Sequence, residues 1–180
     1  IKSIIGNMTT FYSREFGDHP FEKNGFATLN SEFSWGGMEN QTLTNLCPNC
    51  WQESLVAHEF AHQWFGDMIT CETWADIWLN EGFATWAEAH WAENRYGTDV
   101  FKSKMNGYAN TYFSSNPHWA ISNPSWAVTT PDVNTLFNYA ITYMKGSCVL
   151  QMLRFTLGDD VFFPALKAYA TDAANFKYKT

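Results

Sequence analysis

The sequence predicts an α+β fold that is mainly helical and carries a small β-sheet. β-forming residues concentrate in two early stretches, whereas helical patterns dominate the later part of the chain. Strands followed by a run of helices are typical of α+β domains. With 180 residues, 46% of them hydrophobic, the chain is long enough to bury a core, and a single domain over residues 1–180 is expected.

The N-terminal part contains one helical pattern and two strand patterns. Apolar residues at steps of three and four positions predict an amphipathic helix over residues 2–16 that ends near Gly17. Partial alternation of β-formers predicts a strand within residues 25–35, and a second short run predicts another at 42–46. The sequence Gly-Gly-Met-Glu-Asn, at 36–40, lies between them and reads on its own as a glycine-rich turn.

Helical patterns dominate the remainder, interrupted by one proline-containing stretch. The expected helices cover residues 52–65, 76–96, 98–113, 136–157 and 159–173. Gly97 is placed to cap the helix at 76–96 at its C-terminus. Residues 114–132 contain three prolines and predict a long irregular connection.

The charge of the chain excludes some classes of partner. A net charge of −7 and a pI near 5.1 argue against binding to nucleic acid or to an anionic membrane. No apolar run approaches the roughly 18 residues that a membrane-spanning helix needs, so no transmembrane segment is expected in this chain. The sequence opens at Ile1 without methionine, and we expect it to be a piece excised from a longer multidomain protein.

Two of the four cysteines form the recognisable pair Cys47-Pro-Asn-Cys50. A thioredoxin-like function would require a βαβ context, and a four-thiolate zinc site would require a second paired motif. Neither pattern is evident in the sequence. A local disulfide or two buried thiols are therefore expected at Cys47 and Cys50.

The most informative motif is His58-Glu59-x-x-His62, within the helix predicted at residues 52–65. Helical positions four apart are offset by about 40° and roughly 6 Å of rise, so both imidazoles can bind one ion. Zinc held in this way keeps a place for water and lowers the pKa of that water to about 7. Glu59 is then placed to take the proton. The motif is a known pattern of zinc metalloproteases.

A third zinc ligand is expected from a separate element. Glu81, in Trp-Leu-Asn-Glu-Gly-Phe-Ala, follows His62 after eighteen intervening residues and would complete a His-His-Glu set. Taken alone, Glu81 could equally be a solvated carboxylate near the start of a helix, where the helix dipole favours negative charge.

Taken together, these motifs resemble the M1 (gluzincin) metallo-aminopeptidases. The resemblance covers most of the chain and lies in four segments that follow the order of the family. They are Gly-Gly-Met-Glu-Asn at 36–40, His-Glu-Phe-Ala-His-Gln-Trp-Phe-Gly at 58–66, Trp-Leu-Asn-Glu-Gly-Phe-Ala at 78–84 and Ile-Thr-Tyr-Met-Lys-Gly-Ser at 141–147. The resemblance implies a thermolysin-like zinc peptidase catalytic domain, with the metal in a cleft between a small sheet and a larger helical part.

The resemblance also implies roles for individual residues. His58, His62 and Glu81 would bind Zn2+, and Glu59 would be the general base. Tyr143 would donate a hydrogen bond to the developing oxyanion. Residues 36–40 are similar to the exopeptidase motif of the family. This motif would bind substrate through Gly36, Gly37, Met38 and Glu39, with Glu39 holding the free α-ammonium group.

Glu88 lies seven residues after Glu81 on the same helical face. It is a candidate hydrogen-bond partner for a zinc-bound histidine, and a solvated carboxylate is the alternative.

The expected activity is therefore hydrolysis of the N-terminal peptide bond of peptides with a free N-terminus. Members of this family usually carry flanking N- and C-terminal domains, and such domains are expected in the parent protein. The alternatives are a thermolysin-type endopeptidase, which would not need Glu39, a catalytically silent binding scaffold, and a hydrolase that acts on a lipid epoxide.

Overall fold

The computed structural model describes residues 2–175 and contains three short strands and seven α-helices within that range. The limits of the expected domain, residues 1 and 180, lie outside the described range. The strands are Gly25–Thr28 (β1), Gly37–Met38 (β2) and Leu43–Leu46 (β3). The α-helices are Ile5–Phe16 (α1), Glu53–Ala61 (α2), Trp78–Tyr96 (α3), Thr98–Ser115 (α4), Val133–Leu136 (α5), Gly146–Leu157 (α6) and Asp159–Thr171 (α7). The predicted α+β class, mainly helical with a small sheet, is confirmed.

The sheet has the strand order β1-β3-β2, so the central strand is the last in sequence. β3 runs parallel to β1 and antiparallel to β2. Met38 pairs with Asn45, and the ladder between β2 and β3 includes only two residue pairs. β2 therefore lies at the edge of the sheet, and residues beyond Met38 depend on other contacts for their position.

The predicted strand at 42–46 is confirmed as β3, but the strand predicted within 25–35 is wrong beyond Thr28. The chain turns immediately afterwards. The side-chain oxygen of Asn30 accepts a hydrogen bond from the N–H of Glu32 at 3.1 Å, and the N–H of Phe33 donates to the Asn30 carbonyl at 3.2 Å. Asparagine readily forms such a local turn, which ends the strand despite the β-forming residues that follow.

The core is formed where α1, α2 and α3 pack against one another. The hydroxyl of Tyr12 lies 3.1 Å from the carbonyl oxygens of both Ala57 and Ala87, and so joins the three helices. The largest fully buried side chains include Trp64, Trp86, Trp91, Tyr12, Phe16, Phe60 and Phe65.

None of the helices in the described range is long and apolar enough to cross a membrane.

Several predicted helices match the structure closely. α1, α3, α4 and α7 correspond to the predicted segments, and Gly97 caps α3 by donating its N–H to the carbonyl of Glu93 at 2.8 Å. The helix predicted at 52–65 is shorter and ends at Ala61. The next N–H groups bond to carbonyls three residues back, from Gln63 to Phe60 and from Trp64 to Ala61. His62 therefore lies in a tightened last turn.

The continuous helix predicted at 136–157 is wrong. α5 ends at Leu136, and a π-helical segment, Tyr139–Lys145, leads into α6. Side chains divert the backbone at the break: Asn138 accepts a hydrogen bond from the N–H of Ile141 at 3.2 Å, and the Thr142 hydroxyl donates to the Leu136 carbonyl at 2.8 Å. π-helical turns frequently occur at functional sites.

The connection and the cysteine pair agree with expectation. Residues 116–132 are irregular apart from a 3₁₀ turn at Pro124–Ala127. Cys47 and Cys50 form a disulfide, which confirms the expected local disulfide over the other interpretations. The N–H of Cys47 also donates to the carbonyl of Gly36 at 2.9 Å, so the disulfide loop borders the start of β2.

Gly82 lies directly against Gly146, where α3 meets the start of α6. A Cβ added at Gly82 would be only 2.8 Å from the Cα of Gly146 and 2.9 Å from its carbonyl carbon. Both obstacles are backbone atoms, so a larger residue would force the helices apart. This contact fixes the distance between the α3 turn that contains Glu81 and the segment that contains Tyr143.

Replacing Gly82 by alanine should therefore destabilise the protein by about 1–3 kcal/mol through overpacking. Thermal unfolding would measure this as a decrease in Tm of several degrees, since each kcal/mol corresponds to roughly 2–4 °C at this size. Gly107→Ala in α4 is the matched control, because a Cβ there meets no atom within 4 Å. Equal stability of the two variants would contradict the close-packing explanation.

Candidate active site

Three side chains that can bind a metal converge where α2 meets α3. His58 lies in α2, His62 immediately follows it, and Glu81 lies in the first turn of α3. Nε2 of His58 is 3.2 Å from Nε2 of His62, and Oε2 of Glu81 is 3.3 Å from each nitrogen. All three residues are buried. The donor atoms therefore form a nearly equilateral triangle.

The size of this triangle suits a tetrahedral metal ion. Two ligands that bind zinc at about 2.0–2.1 Å with tetrahedral angles lie about 3.3 Å from each other. Two imidazole nitrogens and one carboxylate oxygen also match the donor set of zinc sites that keep a fourth position open. The structure thus brings the three predicted ligands together in an arrangement that can hold a metal.

The tight turn after α2 orients His62. Its Nδ1–H donates to the carbonyl of Phe65 at 2.9 Å, so Nε2 is the ring nitrogen that faces Glu81 and that would bind a metal once it is deprotonated. The same region is tied to α3, because the side-chain oxygen of Asn80 accepts a hydrogen bond from the N–H of Cys71 at 3.1 Å. Since Asn80 directly precedes Glu81, this bond helps to fix the third ligand relative to the second.

The charges of the three side chains depend on one another. Burial by itself would raise the pKa of Glu81, but His62 and His58 outweigh burial and lower that pKa to about 2. Burial by itself would lower the pKa of each imidazole, but the nearby carboxylates have the larger effect. The pKa values of His58 and His62 are therefore both raised. A metal binds neutral imidazole, so metal binding must displace these protons and should weaken as the pH falls.

Glu59 faces the same cleft. Its residue surface is only 5% exposed, and burial raises its pKa to about 7 although the two histidines oppose the shift. The Glu59 carboxylate packs directly over Gly37 of β2, where a Cβ would collide with it. Gly37 therefore provides the space that the carboxylate occupies.

A cleft of about 630 Å³ opens beside these groups, between the sheet and the helical part. The predicted substrate-binding residues Gly36, Gly37, Met38 and Glu39 line one wall. One carboxylate oxygen of Glu39, one of Glu59 and a ring nitrogen of His62 all lie within 4.8 Å of one another. The exopeptidase motif thus borders the triangle of metal-binding side chains.

The cleft is acidic. Four carboxylates line it, those of Glu39, Glu59, Glu81 and Glu88. They outnumber the two imidazoles of His58 and His62, and no lysine or arginine of the described residues lines the cleft. Such a wall favours a cationic group over an anionic one. An ammonium group is one cation that this cleft could accept.

Tyr143 lies on the π-helical segment and lines the same cleft as Glu39. Its ring stacks near the ring of His58, with 6.0 Å between centroids and 26° between planes. Burial, followed by the charges of Glu81 and Glu39, raises the pKa of the phenol well above its ordinary value. The hydroxyl therefore keeps its proton and is available as a hydrogen-bond donor.

The hypothesis that Glu88 supports a zinc-binding histidine is not supported by the hydrogen bonds of the structure. Oε1 of Glu88 accepts from Nζ of Lys104 at 2.7 Å and from the hydroxyl of Tyr108 at 3.1 Å. Both partners lie on α4. Glu88 therefore joins α3 to α4 at the border of the cleft. Because it has these two partners, the alternative prediction of a solvated carboxylate is not supported either.

Two buried amides were not predicted from the sequence. Gln63 is 0% exposed and Asn80 is 8% exposed, and each directly adjoins a predicted metal ligand. The available signal was a polar residue next to a ligand, within a largely apolar run. Such a signal indicates burial but does not identify the hydrogen-bond partner.

The fold and the converging side chains define the class of protein, which is that of metallopeptidase catalytic domains. The chain belongs to peptidase family M1, because residues 4–180 match the profile of the Peptidase family M1 domain. Human Aminopeptidase N is 39% identical over 193 residues, which cover 93% of this chain and 19% of the human protein. The chain spans about a fifth of the length of the curated relatives it matches.

Solved structures agree with this assignment. One is an M1 zinc metallopeptidase mutant from Deinococcus radiodurans bound to a Tyr-Ser-Ala substrate. It superposes with a TM-score of 0.77 at 32% sequence identity, and the match covers 92% of this chain and 35% of the Deinococcus chain. Leukotriene A4 hydrolase from Saccharomyces cerevisiae superposes with a TM-score of 0.80 at 20% sequence identity, and the match covers 92% of this chain and 28% of the yeast chain. This similarity shows a shared fold.

Proposed function

We propose that residues 1–180 form the catalytic domain of a longer, zinc-dependent aminopeptidase that releases the N-terminal residue of peptides with a free N-terminus. The observation that carries this proposal is the convergence of a zinc-sized donor triangle, the buried Glu59 and the carboxylate of Glu39 on one acidic cleft. Curated relatives named aminopeptidases support the activity, and their greater length supports flanking domains in the parent protein.

His58, His62 and Glu81 would hold the zinc ion. When bound there, zinc supplies Lewis acidity and lowers the pKa of a coordinated water to about 7. The carboxylate of Glu81 contributes the negative charge of the set, and the His62–Phe65 hydrogen bond keeps one imidazole in the ligating tautomer.

Glu59 acts as the general base and then as the general acid. Its carboxylate takes the proton of the attacking water and passes it to the departing amine. A base is most effective when its pKa lies near the working pH, and burial raises the pKa of Glu59 to about 7. Contact with Gly37 holds the carboxylate against the wall where the substrate backbone would lie.

Tyr143 stabilises the oxyanion that develops on the scissile carbonyl of the substrate. Its phenol is protonated and partly enclosed, so it can donate a hydrogen bond without first losing a full shell of water. Tyr143 and Glu39 line the same cleft, which supports a scissile bond bound within reach of both side chains.

Glu39 binds the α-ammonium group of the substrate, and Gly36, Gly37 and Met38 align the backbone of the first residue. β2 is an edge strand, so its outer side can pair with an extended peptide. An ammonium group fixed this close to the metal ligands limits cleavage to the first peptide bond.

Replacing Glu39 by glutamine tests this assignment. The change removes the charge but little volume, so kcat/KM for an aminoacyl anilide should fall roughly 10- to 100-fold, as expected for a lost hydrogen bond between charged groups. Steady-state kinetics of the zinc-loaded full-length protein would measure the loss. Glu32→Gln, an exposed glutamate in the preceding loop, is the matched control. Unchanged kinetics in Glu39→Gln would remove Glu39 from the amine site.

A further inference from the structure

Gln63 connects the proposed amine site to the metal-binding turn. It directly follows the ligand His62 and is 0% exposed. Its Nε2 donates to the carbonyl oxygen of Glu39 at 3.0 Å, and its Oε1 accepts from the N–H of Thr42 at 3.1 Å. One buried amide therefore holds both ends of the segment that contains the side chain of Glu39.

The orientation of this amide is determined by its partners. Besides the carbonyl of Glu39, the Nε2 group donates to Oδ2 of Asp67 at 2.7 Å. The N–H of Asp67 in turn donates to the carbonyl of His62 at 2.9 Å. A flipped amide would place its oxygen against two acceptors and its NH2 against a donor, so only one orientation satisfies all partners.

The segment from Glu39 to Thr42 forms the turn between β2 and β3. Within it, the carbonyl of Asn40 accepts from the N–H of Leu43 at 2.9 Å, and the carbonyl of Thr42 accepts from the N–H of Gly25 at 2.8 Å. Gln63 adds the contacts to the carbonyl of Glu39 and to the N–H of Thr42. The ladder between β2 and β3 ends at the pair Met38 and Asn45, one residue before Glu39. Thr42 has a φ of 67°, an unfavourable region for a β-branched residue. Strained conformations of this kind persist where surrounding contacts hold them, and the bond from Thr42 to Gln63 is such a contact.

We propose that Gln63 is a positioning residue that fixes the distance between the amine-binding carboxylate of Glu39 and the metal ligands. This inference rests on the proposed aminopeptidase function. By setting that distance, Gln63 selects substrates whose amine is separated from the scissile carbonyl by one carbon. An α-amino substrate fits this spacing, and a β-amino substrate, with one more carbon, does not.

The test compares an α-aminoacyl anilide with the β-amino anilide of the same side chain, using the zinc-loaded full-length protein. Gln63→Met keeps the approximate size of the side chain but removes all three hydrogen bonds. A displacement of about 1 Å can reduce rate 100-fold, so kcat/KM for the α-amino substrate should fall by roughly that factor. The β-amino substrate already fits poorly, so its kcat/KM should fall less. The ratio of kcat/KM for the α-amino substrate to that for the β-amino substrate should therefore decrease at least about tenfold.

Two further variants separate positioning from general damage to the fold. Gln63→Glu keeps the acceptor for Thr42 and nearly the same shape, but places an oxygen against Glu39 and Asp67, and it decides the question if the methionine variant does not fold. Gln52→Met is the matched control, since Gln52 is an exposed glutamine that precedes α2. Zinc content, measured for each variant, should stay at the wild-type level.

Each outcome is decisive. A narrowed preference in the Gln63 variants, with unchanged zinc content and an unaffected Gln52→Met control, supports the inference. Equal losses on both substrates, or no change, overturn it while leaving the proposed function intact. A wild-type protein that cleaves an N-acetylated anilide as well as the free-amine form overturns the proposed function, and the inference with it.

Discussion

Replacing Glu59 by glutamine is expected to lower kcat by roughly 10³–10⁴-fold, the upper part of the range for general acid–base catalysis. The amide has nearly the shape of the carboxylate, so the contact with Gly37 is retained. It cannot accept the proton of the attacking water or deliver one to the departing amine. Loss of turnover should therefore occur without loss of the fold.

The measurement is steady-state hydrolysis of an aminoacyl anilide, with zinc content measured on the same sample. Glu72→Gln is the matched control, because Glu72 is exposed and lies outside the cleft. If Glu59→Gln binds zinc and still turns over at near the wild-type rate, another group must be the base.

Replacing Glu81 by glutamine should weaken zinc binding at least about 100-fold, since even residues that only support a ligand typically change affinity 10- to 100-fold. Oε2 of Glu81 is equidistant from the two imidazole nitrogens and is the only carboxylate oxygen in the His58–His62–Glu81 triangle. An amide keeps an oxygen there but removes the negative charge. Activity should be lost at limiting zinc and partly recovered at high zinc.

Competition with a chelator of known affinity would measure the change, with Glu72→Gln again as the control. Thermal unfolding of the metal-free proteins would show that any weakening is not a consequence of unfolding. Wild-type zinc affinity in Glu81→Gln would contradict its assignment as the third ligand.

The sequence predicted the helices whose apolar spacing is regular, and the deviations accompany either a local turn or a tertiary contact. Gly97 marked the end of α3 correctly because a glycine C-cap depends on neighbouring residues alone. The π-helical segment before α6 could not be predicted, since it accompanies tertiary contact between Gly146 and Gly82. The strand predicted at 25–35 was too long because the turn at Asn30 outweighs β propensity.

The site shows the same division between local and distant information. The spacing of His58 and His62 on one helix predicted their convergence, and the structure confirms that they meet Glu81. The roles of Glu39 and Tyr143 depended on resemblance to a family and remain predictions. The partners of Glu88 lie 16 and 20 residues away on α4, and those of Gln63 include residues 24 and 21 positions earlier, so neither set follows from a local pattern.

The measurement that tests the central claim most directly is hydrolysis of an aminoacyl anilide and its N-acetylated counterpart by the zinc-loaded full-length protein. An aminopeptidase that binds the ammonium group through Glu39 should cleave the free-amine substrate and leave the acetylated one intact. Equal cleavage of both substrates would contradict the amine site and indicate an endopeptidase.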